Sequence, residues 1–210
     1  YTITEDVVKD YTSDVSGYNV TNTYTPGKTS VPVEKVWNDK EDQDGKRPGS
    51  VTVKLLADKV DTGKTLELNS TNQWKGSFED LDEYKGGKKI EYTLEEVTVS
   101  GYTTSITKSS NGYVVTNSHT PETTEVSGKK TWNDKEDQDG KRPKEITINL
   151  YADGVKKDSK KVTASENWSW KFDNLAKYAK GQLINYTITE DVVKDYTSDV
   201  SGYNVTNTYT

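Results

Sequence analysis

The chain has 210 residues, of which 30% are hydrophobic and 30% charged, with a net charge of −6 and neither cysteine nor methionine. Its mean hydropathy of −0.94 excludes one large core. It suits domains of about 100 residues whose sheets keep one wet face. Disulfide staples are excluded outright. Because acidic and basic residues are interspersed, no basic face is available for nucleic acid. No apolar run approaches the roughly 18 residues of a membrane helix. No signal peptide leads the chain, so the reading starts inside a longer protein.

In chain order, residues 1–25 come first and are identical to residues 186–210. A stretch with Trp37-Asn38-Asp39-Lys40-Glu41-Asp42-Gln43-Asp44-Gly45-Lys46-Arg47-Pro48 follows, and it returns from Trp132 to Pro143, 95 positions on. Such a period reads as a string of domains rather than a solenoid. The expected division is 1–26 as the closing tail of a preceding repeat, 30–121 as one repeat and 125–210 as a second. Short Pro/Thr-rich joints, Thr25-Pro26-Gly27 and Thr120-Pro121-Glu122, space them semi-rigidly.

Within each repeat the apolar period is two. Val51, Val53 and Leu55 alternate with polar residues, as do Ile146, Ile148 and Leu150. Trp74 shares parity with Phe78, and Trp168 and Trp170 with Phe172, which expects all three tryptophans in cores rather than on a carbohydrate platform. Tyr92-Thr93-Leu94 and Tyr186-Thr187-Ile188 open later strands. Tyr113-Val114-Val115 and Tyr203-Asn204-Val205 open the last. Gly, Asn and Asp clusters punctuate them. Six or seven short strands per repeat, without helices, predict antiparallel sandwiches.

Extending each alternation by one step places a polar residue on the core face. Lys35 follows Val33, Glu96 follows Leu94 and Asn117 follows Val115; in the second repeat the set is Lys130, Glu190 and Asn207. Burying such charges singly costs several kcal/mol, so the three residues of a repeat are expected to meet. Desolvation favours a neutral amine and a protonated acid. A neutral lysine can attack the asparagine carboxamide, with the acid shuttling protons and ammonia leaving. The residues alone leave two readings open: a Lys–Asn isopeptide cross-link, or a buried Lys–Glu ion pair beside a structural Asn.

Lys-x-Trp-Asn-Asp with Gln-Asp-Gly-Lys-Arg-Pro, then Tyr-Thr-x-x-Glu, then Val-Thr-Asn resembles the B-type repeats of Gram-positive collagen adhesins, the Cna-B domains. The resemblance covers both repeats and residues 1–25. It implies tandem seven-stranded, prealbumin-like, reversed-immunoglobulin sandwiches. Within them Lys35–Asn117 and Lys130–Asn207 are joined by self-formed isopeptide bonds, promoted by Glu96 and Glu190. It further implies a cell-wall-anchored extracellular stalk that carries a ligand-binding head, with a host ligand bound by another domain. The bonds close loops of 82 and 77 positions. By chain-entropy reasoning each contributes about 4 to 5 kcal/mol, and each carries tension past the hydrogen-bonded body. No turnover enzyme, cofactor or membrane partner is expected. A matrix- or glycan-binding adhesive module and a pilin backbone subunit are the alternatives.

The acidic loop from Asp39 to Gly45 misses the calcium-loop pattern, because Lys40 and Val51 fall on the first and twelfth ligand positions. It is read as a capped turn anchored by Arg47, and its copy by Arg142. His119 is the lone histidine and stands at a joint, so neither a histidine metal site nor a catalytic triad is available. Residues 1–25 carry an orphan half-site, Glu5 and Asn22, without a lysine strand. They are either the end of a repeat whose body lies elsewhere or a strand swap into another chain's second repeat.

Overall fold

The computed structural model describes residues 1–210 and is all-β but for one turn of 3-10 helix, Ala164–Glu166. A leading hairpin consists of β1 (Thr12–Ser16) and β2 (Asn19–Thr23). The first repeat follows with β3 (Lys28–Asn38), β4 (Ser50–Ala57), β5 (Val60–Asn69), β6 (Lys75–Asp82), β7 (Tyr84–Lys85), β8 (Lys88–Lys89), β9 (Tyr92–Glu96), β10 (Thr103–Lys108) and β11 (Tyr113–Ser118). The second repeats that order with β12 (Thr123–Asn133), β13 (Glu145–Ala152), β14 (Val155–Thr163), β15 (Ser169–Ala176), β16 (Tyr178–Ala179), β17 (Gln182–Leu183), β18 (Tyr186–Glu190), β19 (Thr197–Ser201) and β20 (Asn204–Thr208). The chain falls into two compact units. One holds Tyr1–Asn38 with Pro48–Ser118, the other Asp39–Arg47 with His119–Thr210.

Each repeat is a seven-stranded sandwich. Four strands lie in the order β10-β11-β3-β6 and three in the order β5-β4-β9. The second repeat pairs β15-β12-β20-β19 opposite β14-β13-β18. The two-residue hairpins β7–β8 and β16–β17 are additions that apolar alternation cannot announce, since neither buries an apolar face. The first and last long strands of a repeat run parallel, β3 beside β11 and β12 beside β20. Alternation does the packing: Val31 and Val33 share the core with Val51, Val53, Leu55, Phe78 and Val115. In the second repeat Val126, Ile146, Ile148, Leu150, Phe172, Ile188 and Val205 do the same.

Trp170 is buried as expected, and Trp74 and Trp168 pack half-buried against the cores as expected. Both sit just ahead of their strands, at φ of 58° and 53°, where the left-handed backbone breaks the alternation. They still face inward, half-buried, packing edge-on against Trp37 at 5.3 Å and Trp132 at 5.2 Å between ring centroids.

The frames differ in filling. In the first repeat Val33 faces Gly76 across β3 and β6, and the Leu66 side chain occupies the space a Cβ on Gly76 would need. In the second, Gly128 faces Trp170, and Lys160 stands its ammonium 5.2 Å from the Phe172 ring. Gly128 is demanded twice over, because a Cβ there would lie 1.7 Å from the Tyr203 carbonyl oxygen and 2.7 Å from Trp170 Nε1.

Candidate functional site

The parallel pairing sets the site. Lys35 lies opposite Val115, so Asn117, two residues on, stands diagonally across on the same face. Lys130 faces Val205 and stands in the same relation to Asn207. Glu96 and Glu190 come from the opposing sheet, where β9 pairs Glu96 with Val53 and β18 pairs Glu190 with Ile148. The three residues that alternation placed inward are therefore brought to one buried spot in each repeat. Lys35 and Lys130 are 4% and 3% exposed, and Asn117 and Asn207 are fully buried.

Lys35 Nζ lies 3.9 Å from Glu96 Oε2 and donates to the Val36 carbonyl at 3.2 Å. Thr104 Oγ1 donates to Glu96 Oε1 at 2.8 Å. In the second repeat Lys130 Nζ donates directly to Glu190 Oε1, while Ser198 Oγ holds Oε2 at 2.9 Å. Burial lowers the Lys130 pKa, and the hydrogen bond and charge of Glu190 oppose that shift. Each amine also lies over a tryptophan face, 3.8 Å from the Trp37 centroid and 4.6 Å from that of Trp132. Tyr102 at 5.1 Å from Trp37, and Tyr196 at 5.1 Å from Trp132, extend these aromatic walls.

The carboxamides are the anomaly. Neither Oδ1 nor Nδ2 of Asn117 has a hydrogen-bond partner, and the same is true of Asn207. A buried amide left unpaired costs about 1–3 kcal/mol per group, and native proteins rarely leave one without reason. Here the same pair of atoms is orphaned twice, at equivalent places beside a buried amine and a buried carboxylate.

The half-site in the leading hairpin shows what happens without a lysine. Glu5 and Asn22 do come together: Asn22 Nδ2 donates to Glu5 Oε1 at 2.9 Å and Ser13 Oγ to Oε2 at 2.8 Å. The asparagine thus takes on Glu5 the oxygen that Lys130 takes on Glu190. One carboxylate can serve either partner.

The acidic loop is a capped turn held by arginine. Arg47 grips Asp39 through Nε at 3.1 Å and Nη2 at 2.6 Å, and Arg142 grips Asp134 at 3.0 and 2.6 Å. The Asp42 and Asp137 amides cap on the same carboxylates at 3.0 and 3.1 Å. The Arg142 fork, with a hydrogen bond from Tyr196, holds the Asp134 carboxyl down at about 2, while burial opposes it. His119 Nε2 lies 2.8 Å from Asp44 Oδ2, a contact no sequence signal pointed to.

The Cna protein B-type domain model matches residues 31–118 and 126–208. The chain belongs to the Cna B-type domain family. It is 51% identical over 212 residues to a collagen adhesin of Staphylococcus aureus, a match that takes in 100% of this chain and 18% of that protein. The crystal structure of two B repeat units of the collagen binding protein of Staphylococcus aureus is similar at a TM-score of 0.82 and 48% identity. That match covers 98% of this chain and 56% of that one. The all-β fold, the tandem repeats and the kinship to adhesin B repeats expected from the residues are thereby established. This chain spans under a fifth of the length of its curated relative.

Proposed function

We propose that each repeat closes a Lys–Asn isopeptide bond, Lys35 to Asn117 and Lys130 to Asn207, with Glu96 and Glu190 as the proton-shuttling acids. The carrying observation is the pair of fully buried carboxamides whose oxygen and nitrogen find no hydrogen-bond partner. In the reaction the neutral Nζ adds to the Asn Cγ while the protonated glutamate donates to Oδ1. A proton then passes by way of the glutamate from Nζ to Nδ2. The Cγ–Nδ2 bond breaks and ammonia leaves, Oδ1 returns its proton to the glutamate, and the Nζ–Cγ amide becomes planar. The lowered Lys130 pKa supports supply of the neutral amine. The reaction consumes its own residues once, so the protein is not an enzyme with turnover.

The chain then serves as a length of extracellular stalk, anchored to a Gram-positive cell wall. Force passes through two covalent bonds rather than unzipping sheets, and a head elsewhere in the protein meets the host ligand. Repeats 30–121 and 125–210 are the mechanical units, with 1–26 the closing strands of a further copy. The partly buried Trp74 and Trp168 favour this reading over a glycan platform.

Intact mass tests it. The chain should weigh two ammonias less than its sequence, and Glu96→Gln and Glu190→Gln should each restore one. A mass equal to the sequence would sink the proposal.

A second reading concerns residues 1–25. Their hairpin is paired in full register yet exposed along its length, which fits a strand swap into another chain's second repeat. Concentration-dependent dimers, with Asn22 joined to Lys130 of the other chain in peptide maps, would establish it. A monomer at all concentrations would end it.

A further inference from the structure

The two repeats close their last hairpins differently. From Glu190 to Asn207 the second repeat takes 17 positions, and β19 joins β20 through Gly202-Tyr203 alone. From Glu96 to Asn117 the first takes 21, and the turn between β10 and β11 is Ser109-Ser110-Asn111-Gly112. The longer turn brings an asparagine followed by a glycine, a pair found nowhere else in the chain.

The fold dictates the glycine. A Cβ there would stand 2.0 Å from the Pro32 carbonyl oxygen, closer than any side chain tolerates. The asparagine ahead of it is exposed and faces no such demand. The Gly112 nitrogen also lies just outside both ladders. Pairing of β10 with β11 ends at Lys108 and Tyr113, and pairing of β11 with β3 begins at Tyr113 and Val33. The Gly112 N–H donates instead to the exposed Ser109 hydroxyl at 3.1 Å. A change of the Ser109 rotamer frees it without breaking a rung of the sheet. With no Cβ on the glycine, nothing screens this nitrogen from the Asn111 carboxamide.

We propose that Asn111-Gly112 is a self-modifying site, where the chain converts the asparagine to aspartate and isoaspartate with water as its only co-reactant. The Gly112 amide gives its proton to hydroxide, and the nitrogen adds to Asn111 Cγ. The Cγ–Nδ2 bond breaks, ammonia leaves with a proton taken from water, and hydroxide is regenerated. A five-membered succinimide remains. Water adding at Cγ frees the Gly112 nitrogen from it and leaves aspartate. Water adding at the main-chain carbonyl breaks the original peptide bond and leaves isoaspartate, with the chain running through Cγ. Ammonia is exchanged for water, and the net charge falls by one from −6. Neither a lysine nor a glutamate takes part, so the site is independent of the proposed cross-links.

The two products act differently on the repeat. Aspartate puts a carboxylate beside a cavity of about 210 Å³ whose lining includes Glu34 and Lys75. Isoaspartate lengthens the main chain by one carbon, directly before a glycine already wedged against Pro32. The turn must open there. Tyr113 follows at once, 9% exposed and with its hydroxyl on the Tyr92 carbonyl at 2.5 Å. Because β11 carries Val115 and Asn117 inward, the change falls on the first repeat alone.

The test holds the purified chain at pH 7 and pH 8 and follows isoelectric focusing and peptide maps. An isoaspartate-specific methyltransferase supplies the label. An acidic species should accumulate with both products at position 111, on the order of tenfold faster at pH 8. Asn111→Gln, which would have to close a less favourable six-membered ring, should abolish it. Glu96→Gln and Glu190→Gln should leave it unchanged, which separates this ammonia from any lost in cross-linking. The folded chain should convert within about tenfold of the denatured rate, because the nitrogen lies outside the ladders. No conversion at position 111, or conversion only after denaturation, overturns the proposal. Equal conversion at the exposed Asn72 and Asn174 overturns it too.

Discussion

Residues 1–25 and 186–210 share one sequence and occupy two environments, so every difference between them is tertiary. The hairpin register is the same in both: Val15 faces Val20, and Val200 faces Val205. Val15 and Val200 are even equally exposed, at 41% and 42%. The inner strand separates them, since Val20 is 40% exposed, whereas Val205 is fully buried where β20 pairs with β12. The segment 186–190 forms β18 against β13, whereas its twin at the start of the chain has no strand partner and forms no strand. Turn chemistry therefore suffices to close this hairpin, while the strand ahead of it exists only where a neighbour completes its hydrogen bonds. The polar cluster follows the same rule. Serine binds glutamate in both copies, and the first glutamate oxygen goes to asparagine or to lysine according to what is present.

The largest separation between the twins is expected from Glu190→Gln against Glu5→Gln. The first should restore one ammonia of mass and remove about 4 to 5 kcal/mol from the second repeat, by loss of loop closure. The second should leave the two-ammonia deficit and the melting unchanged. Calorimetry with intact mass checks both, and equal effects would mean that the lysine is not what distinguishes the sites.

Much of this was legible in the sequence because a strand's period is strict. Val33, Lys35, Val115 and Asn117 fell on the buried face by counting alone, and the duplicated set removed coincidence. Counting failed where the backbone leaves the strand. The loop 39–47 turns through three successive positive φ angles at Lys40, Glu41 and Asp42. Nor could alternation reveal the seat of Asp44, whose partners His119 and Glu122 lie more than 70 positions away and in no strand register with it. The fit of Leu66 over Gly76 was equally hidden, because a glycine in a strand does not announce which side chain fills the space beside it.

Burial alone should give the next effect. Val205→Ala removes side-chain carbons from a closed core and is expected to cost about 2 kcal/mol. Val20→Ala, the same change in the same sequence, should stay within about 0.5 kcal/mol. Denaturant unfolding with separate reporters in the two repeats would read this. A costly Val20→Ala would show the leading hairpin buried in solution, as a strand swap requires.

Tyr196 and its twin Tyr11 sharpen the electrostatic half. Burial, then the hydrogen bond to Asp134, push the Tyr196 hydroxyl up to about 12. Its folded pKa lies above the unfolded value near 10, so its contribution is whole below pH 10 and is lost as pH rises toward 12. Asp134 has the opposite sign: held at about 2, it stabilises above pH 4, and that contribution fades as pH falls toward 2. Tyr196→Phe removes a hydrogen bond to a charged acceptor and should cost about 1.5–2 kcal/mol at neutral pH, while Tyr11→Phe should cost nothing measurable. Ultraviolet titration of the tyrosinates, set beside melting at pH 3 and pH 7, distinguishes the two.

The smallest prediction asks where the twins should agree. Thr12 Oγ1 donates to the Thr23 carbonyl and Thr197 Oγ1 to the Thr208 carbonyl, both at 3.3 Å and both exposed. An exposed bond of that length exchanges evenly with water, so Thr12→Ala and Thr197→Ala should each shift stability by under about 0.5 kcal/mol. The shifts should match, because the two bonds lie inside a hairpin whose geometry is local. Hydrogen exchange at the neighbouring hairpin amides reads this directly. A larger loss at Thr197 would mean that the second repeat tightens even the outer edge of its last hairpin, and that packing, not turn chemistry, holds β19 against β20.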